Sequence, residues 1–290
     1  MFENIPFQAF AWAASILFAI EAVLVKIISN HQIKNPWLLN AFWTLCVFVM
    51  NTIICLWAGA GVPVAWGNIV LAGLSFAFAT SFFIFANYRL DVSTFAPLFN
   101  FRTIFVVILG TLFLGEVLSG LQLLFIGMMV LGGVLVTFDE KFSIKSFFSL
   151  GVLLALADMA ALALMALFLK RALAESGFWT VNLWYYLFGT ALVFLTAQFF
   201  YKDIKTLYKP QVGSILVASV VGVAGNFAAA KAYASNISIS GAIISIPLSV
   251  AIVVIFSLFF PKLLEHHNWK VYFVRIIAAI ILVYAGIRLS

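Results

Sequence analysis

Apolar runs of about 20 residues follow one another along almost the whole chain, each long enough to cross a hydrocarbon layer as a helix. Ten can be placed, at 7–28, 36–58, 67–88, 92–114 and 120–138, then 148–169, 178–200, 210–233, 238–260 and 269–288. The connections between them are short, the longest about ten residues, too short for a soluble catalytic or interaction domain. The pattern predicts an all-α polytopic membrane protein with ten transmembrane helices.

Composition sharpens this picture. Of 290 residues, 65% are hydrophobic and 9% charged, against roughly 25% charged in soluble domains, so the bilayer must be the main solvent of the surface. Only Glu3 among charged residues precedes the first run, and with no basic start this run predicts a retained span rather than a signal peptide. Cys46 and Cys55 lie nine residues apart on one apolar span, too far to bridge along it, and read as packing residues. The net charge of +6 is scattered over short loops and forms no basic patch for nucleic acid. Lys26, Lys34, Arg89, Lys141, Lys145, Lys202, Lys205, Lys209, Lys262 and Lys270 fall on one side, ten bases in all, while the side of the termini carries four, Lys170, Arg171, Lys231 and Arg288. The positive-inside rule then places the termini outside.

The chain also repeats. A shift of 145 positions lays Tyr88 on Tyr233, Ser93 on Ser238, Ala79 on Ala224 and Phe82 on Phe227, in matching spans. Five spans per half is an odd number, so the second unit, 146–290, enters the membrane with polarity opposite to the first, 1–145. That is the inverted-repeat design of secondary transporters, with the substrate site near the midplane between the halves.

Tyr88 followed by Ser93, a long apolar helix, Leu114-Gly115-Glu116, and a glycine-rich helix with Gly127 and Gly132-Gly133 resemble the EamA-type drug/metabolite transporter family. The resemblance implies ten helices as two five-helix repeats around a cavity lined mainly by the first, third, fourth, sixth, eighth and ninth helices. It also implies a multi-pass protein of a prokaryotic inner membrane and a small-molecule substrate among amino acids, sugars, nucleotides, organic cations and phosphate esters. Three features depart from the family. Arg102 stands where a proline or small residue is usual and is paired by the repeat with Pro247; Pro261 lies opposite Glu116, with Glu265 four residues on. Family members also keep both termini in the cytoplasm, against the loop charges, so orientation stays open.

Arg102 is the sharpest candidate. It falls near the middle of the fourth predicted span, where a charge costs roughly 2.5 to 17 kcal/mol depending on the scale unless it is compensated. Asp158, at comparable depth in the sixth span, is the anion it can meet. Two readings are open: a buried ion pair locking the halves together, or a site in which Arg102 holds a substrate carboxylate or phosphate and Asp158 an amino group, a proton, or the arginine between cycles. Glu21, in the first span, either reaches toward Lys26, packs neutral, or couples transport to protons.

Asn226 stands opposite Ser81 in the repeat, two polar groups at corresponding depths. Ser238, Ser245 and Ser249 form a small polar stripe that either lines a pathway or packs helices closely. Phe99, near Arg102, either stacks on a flat substrate or faces lipid or a neighbouring helix, and Lys231 is either a ligand or an interfacial lysine. His266 and His267 lack neighbouring ligands at metal spacing, so no metal or other cofactor is expected.

The classes can then be ranked. A secondary transporter of an amino acid or related carboxylate, by alternating access, fits one cationic and one anionic handle. Organophosphate or nucleotide-derivative exchange follows, then organic-cation or drug export with Glu21 or Asp158 as counter-charge. A membrane-embedded lipid-modifying enzyme needs GxSxG, HExxH or a paired acidic motif, and the chain carries none, so no enzymatic activity is expected.

Overall fold

The computed structural model describes residues 5–90, 95, 98–136, 149–246, 248, 252, 277, 280, 281 and 283–288, with only the backbone of 132–136. Every regular element among them is helical: α1 (Phe7–His31), α2 (Pro36–Trp57), α3 (Gly67–Asn87), α4 (Asn100–Leu114), α5 (Gly120–Val136), α6 (Leu150–Glu175), α7 (Phe178–Phe194), α8 (Lys209–Ser235) and α9 (Ile237–Ile244), with two short 3₁₀ turns between α7 and α8. Five of these, α1, α2, α3, α6 and α8, are long and apolar enough to cross a membrane. Leu112, Leu131 and Ile53, each more than 60% exposed, suit a surface bathed in hydrocarbon. The tenth expected span, the later part of the ninth, and Ser93, Pro247, Ser249, Pro261, Glu265, His266 and His267 lie largely or wholly outside the described residues.

Local chemistry sets the helix ends. Asn35 caps α2, its side-chain oxygen accepting from the amides of Trp37 at 2.9 Å and Leu38 at 3.4 Å, with Pro36 at the first helical position. Ser149 caps α6 in the same way through Val152. The described regular part of α4 begins at Asn100, and Phe95 and Leu98 before it are also helical, so Arg102 stays inside the expected span. One end differs from the hydropathy pattern. Helix α6 continues past Leu169 to Glu175, because Lys170 and Arg171 are taken up by contacts with the end of α4.

The helices pack across the two halves of the chain. Helix α1 packs on α8 and α9, and α6 packs on α3 and α4; α2 packs on α7 and α8, and α3 on α7. Exchanging α1–α4 with α6–α9 maps these pairs onto one another. Lys26, at the end of α1, donates to the carbonyls of Asn87 and Leu90 at the end of α3, both at 2.7 Å. The start of α6 lies at that same face, where a methyl group on Gly151 would meet Leu90 at 2.8 Å. The end of α6 lies at the opposite face, with Glu175 bonded to Asn68 at the start of α3 (2.8 Å). Helices α1 and α6 therefore run in opposite directions. Glycines permit a close crossing between α3 and α7: a Cβ on Gly73 would stand 2.8 Å from Phe188 Cβ, and one on Gly189 3.0 Å from the Gly73 carbonyl.

Candidate functional site

Where α1, α2, α3, α4, α6 and α8 converge, the side chains leave a cavity with an empty volume of about 640 Å³, including the space at its mouth. Its charged groups are Arg102 from α4, Asp158 from α6 and Glu21 from α1, at 3%, 0% and 6% exposure. Its walls are aromatic: Phe18, Trp43, Phe76, Phe83, Phe99 and Tyr233. Thr80 and Asn226 add neutral polar groups.

Arg102 reaches across to α8. Its Nη2 donates to the Tyr233 hydroxyl, and its guanidinium lies 5.5 Å from the centroid of that ring. Its Nε has no partner, and neither carboxylate oxygen of Asp158 has one. Arginine and aspartate thus share the cavity but form no ion pair within 4.0 Å; the Glu116–Lys170 pair is the one salt bridge among the described residues. The hydrogen-bond partner of Arg102 is thus Tyr233, while Asp158 stands beyond ion-pair distance but within electrostatic reach of the guanidinium.

Glu21 does not reach Lys26, which is held by the α3 carbonyls. Its Oε1 has no hydrogen-bond partner, and the Trp43 indole lies beside the carboxyl without meeting hydrogen-bond geometry. It fits because α8 presents Gly222, where a Cβ would collide with the carboxyl, while Gly225 receives the Phe18 ring (2.9 Å from an added Cβ). Gly222→Ala is expected to displace the Glu21 side chain and to lower stability by about 1–3 kcal/mol, as overpacking typically does. Gly213→Ala, on the same helix with open space around it, is the control. Thermal unfolding of the two variants in detergent checks this, and equal melting temperatures would refute it.

Among the other candidates, Phe99 and Asn226 line the cavity. Phe99 packs edge-on against Phe95, with centroids 5.0 Å apart, and Asn226 donates to the Gly222 carbonyl at 2.8 Å. Ser81, its counterpart in the repeat, bonds instead to Asn40 at 3.0 Å. Ser245, just past the end of α9, is buried and donates to the Gly241 carbonyl at 2.6 Å. Lys231 lies away from the cavity with its ammonium 4.4 Å from the Phe178 ring centroid. Among the described residues no three His, Cys, Asp or Glu gather as metal ligands. Trp43 escaped the sequence reading, although it stands inside its span and not at a membrane interface, which was the available signal.

A second polar cluster closes the end of α4. Gly115 takes a left-handed conformation (φ 65°), and the Glu116 amide bonds back to the Gly110 carbonyl at 3.0 Å. The turn delivers the Glu116 carboxylate to the start of α9. There it accepts from the amides of Ile237 (2.8 Å) and Ser238 (3.0 Å), from the Ser238 hydroxyl (2.6 Å), and from Lys170 (2.7 Å). Lys170 and Arg171 in turn donate to the carbonyls of Ser235 and Phe113, the last turns of α8 and α4. Burial pushes the Glu116 carboxyl up. The hydrogen bonds from Lys170, the Ser238 hydroxyl and the two amides outweigh it and hold the group below the usual carboxylate value.

This geometry meets known proteins at two levels. The profile of the EamA-like transporter family matches residues 7–138, consistent with the drug/metabolite transporter superfamily. Residues 7–138 thus resemble a family of drug/metabolite-type membrane transporters, and five of the described helices are long and apolar enough to cross a membrane. One solved crystal structure is similar over 94% of this chain and 94% of its own, with a TM-score of 0.68 at 16% identity, a likeness of fold alone. No curated protein matches the chain in sequence.

Proposed function

We propose that the protein is a secondary transporter of a small polar metabolite, an amino acid or related carboxylate, moved by alternating access between two inverted five-helix repeats, 1–145 and 146–290, in a prokaryotic inner membrane. The observation that carries this reading is a buried arginine and a buried aspartate facing one cavity without pairing, with Arg102 Nε and both Asp158 oxygens left open. Unmade buried bonds are costly. A zwitterion satisfies both at once, its carboxylate on the guanidinium and its ammonium on Asp158, with the aromatic walls around its side chain. The symmetric pairing of helices and the opposite run of α1 and α6 support the repeat. Glu21, a second carboxylate with an open oxygen, is proposed as the proton-coupling group.

Organic-cation export is the second reading, favoured by two carboxylates among six aromatic rings. Phosphate esters fit less well, since Lys231, the other base proposed for them, lies elsewhere. Counterflow in proteoliposomes against L-amino acids, phosphate esters and quaternary amines tests the three. Exchange of amino acids is expected, weakened at least tenfold in apparent affinity by Asp158→Asn through loss of a charged hydrogen bond. Exchange confined to quaternary amines or phosphate esters would overturn the amino-acid reading.

A further inference from the structure

Beside the main cavity lies a smaller chamber with an empty volume of about 330 Å³. The two share Phe18, Phe99 and Arg102, so these three side chains form the partition between them. Past the partition the walls are hydrocarbon, with Ala19 and Ala22 from α1 and Ile244 and Ile246 from the end of α9. Among the described residues, only Ser15 and Arg102 bring polar side chains to it.

Both carry an unmade hydrogen bond. Ser15 is 2% exposed and its Oγ has no partner; Arg102 is 3% exposed and its Nε has none. A serine inside a helix ordinarily satisfies itself on the carbonyl one turn back, as Ser245 does on Gly241 and Ser81 on Ala77 at 2.8 Å. Ser15 does not. Its hydroxyl is left open in an apolar pocket that already holds a guanidinium edge.

The geometry points to this chamber as the subsite for the carboxylate of the transported solute, with Ser15 as a second ligand beside Arg102. A carboxylate accepts from several directions and can take an N–H and an O–H together. One cation in hydrocarbon matches a monoanion and leaves the second charge of a phosphate monoester uncompensated. With its carboxylate behind the Phe18 and Phe99 partition, a zwitterion keeps its ammonium in the main cavity toward Asp158. Phe18 and Phe99 then act as the sides of the passage.

The inference rests on the amino-acid reading above, and its test separates the two. Binding of each of the twenty L-amino acids to the purified protein is followed by thermal shift, and the strongest binder is titrated against Ser15→Ala, Ser15→Thr and Ala22→Leu. Ser15→Ala is expected to weaken binding about tenfold, the worth of a hydrogen bond to a charged group, with the melting temperature of the unliganded protein unchanged. Ser15→Thr keeps the hydroxyl and is expected to restore most of the affinity. Ala22→Leu fills the chamber and is expected to abolish binding; should it fail to fold, the two Ser15 variants decide alone. Undiminished affinity in Ser15→Ala, or Ser15→Thr no better than Ser15→Ala, overturns the carboxylate subsite while the amino-acid reading stands. If no amino acid shifts the wild-type protein, both fall.

Discussion

Replacement of Arg102 by glutamine is expected to abolish amino-acid counterflow in a protein that still inserts and keeps its thermal stability within a few degrees. The wild-type guanidinium is held at one arm by Tyr233 and is open at Nε. A carboxylate binding it gains charge-assisted bonds worth about 1.5–3 kcal/mol each, so losing two of them weakens affinity ~100-fold or more. Lysine is not expected to rescue function, because its ammonium is a point charge and cannot hold the Tyr233 hydroxyl and a substrate in one plane. Tyr233→Phe keeps the charge but frees the arm that tyrosine occupies, so a partial loss is expected there. Undiminished counterflow by folded Arg102→Gln would remove the arginine from the site and with it the reason for choosing carboxylates.

The second large effect lies outside the cavity. Glu116→Ala is expected to destabilise the protein by on the order of 3 kcal/mol, since it strips an ion pair and the cap of α9 together. Three donors on Ile237 and Ser238 then lose their acceptor, and Lys170 keeps only the Ser235 carbonyl. The carboxyl is held below its unfolded value of roughly 4.3, so its contribution is complete above that pH and drains away as pH falls through the folded value. Melting curves from pH 6 down to pH 3 check this. The wild-type protein should lose melting temperature more steeply below about pH 4.3 than Glu116→Gln, which has no carboxyl to titrate. Parallel curves for the two would refute the sign.

Much of the cavity was legible in the chain, for a reason that differs between residues. Arg102, Asp158 and Glu21 could be found because a charge inside an apolar run is expensive wherever the helix packs, so its presence alone marks a site. Ser245 and Lys231 could not be sorted this way. A serine can bond to its own helix and a lysine can rest on a ring, and hydropathy does not name the neighbours they meet here, Gly241 and Phe178. Lys170 and Arg171 looked like loop bases; contacts with Glu116 and the Phe113 carbonyl draw them into the last turns of α6.

By itself the sequence determined that the chain is helical and apolar enough for a membrane, and which charges would have to be compensated. These follow from composition and from periodicity along one helix at a time. Only the tertiary structure decided who meets whom: Tyr233 as the hydrogen-bond partner of Arg102, a glycine notch at Glu21, the α9 amides and Lys170 at Glu116. Hydrogen bonds and glycine contacts act over a few ångströms between residues far apart in the chain, 131 positions for Arg102 and Tyr233 and 201 for Glu21 and Gly222. Spacing along the chain cannot encode which distant helix faces which, and packing can.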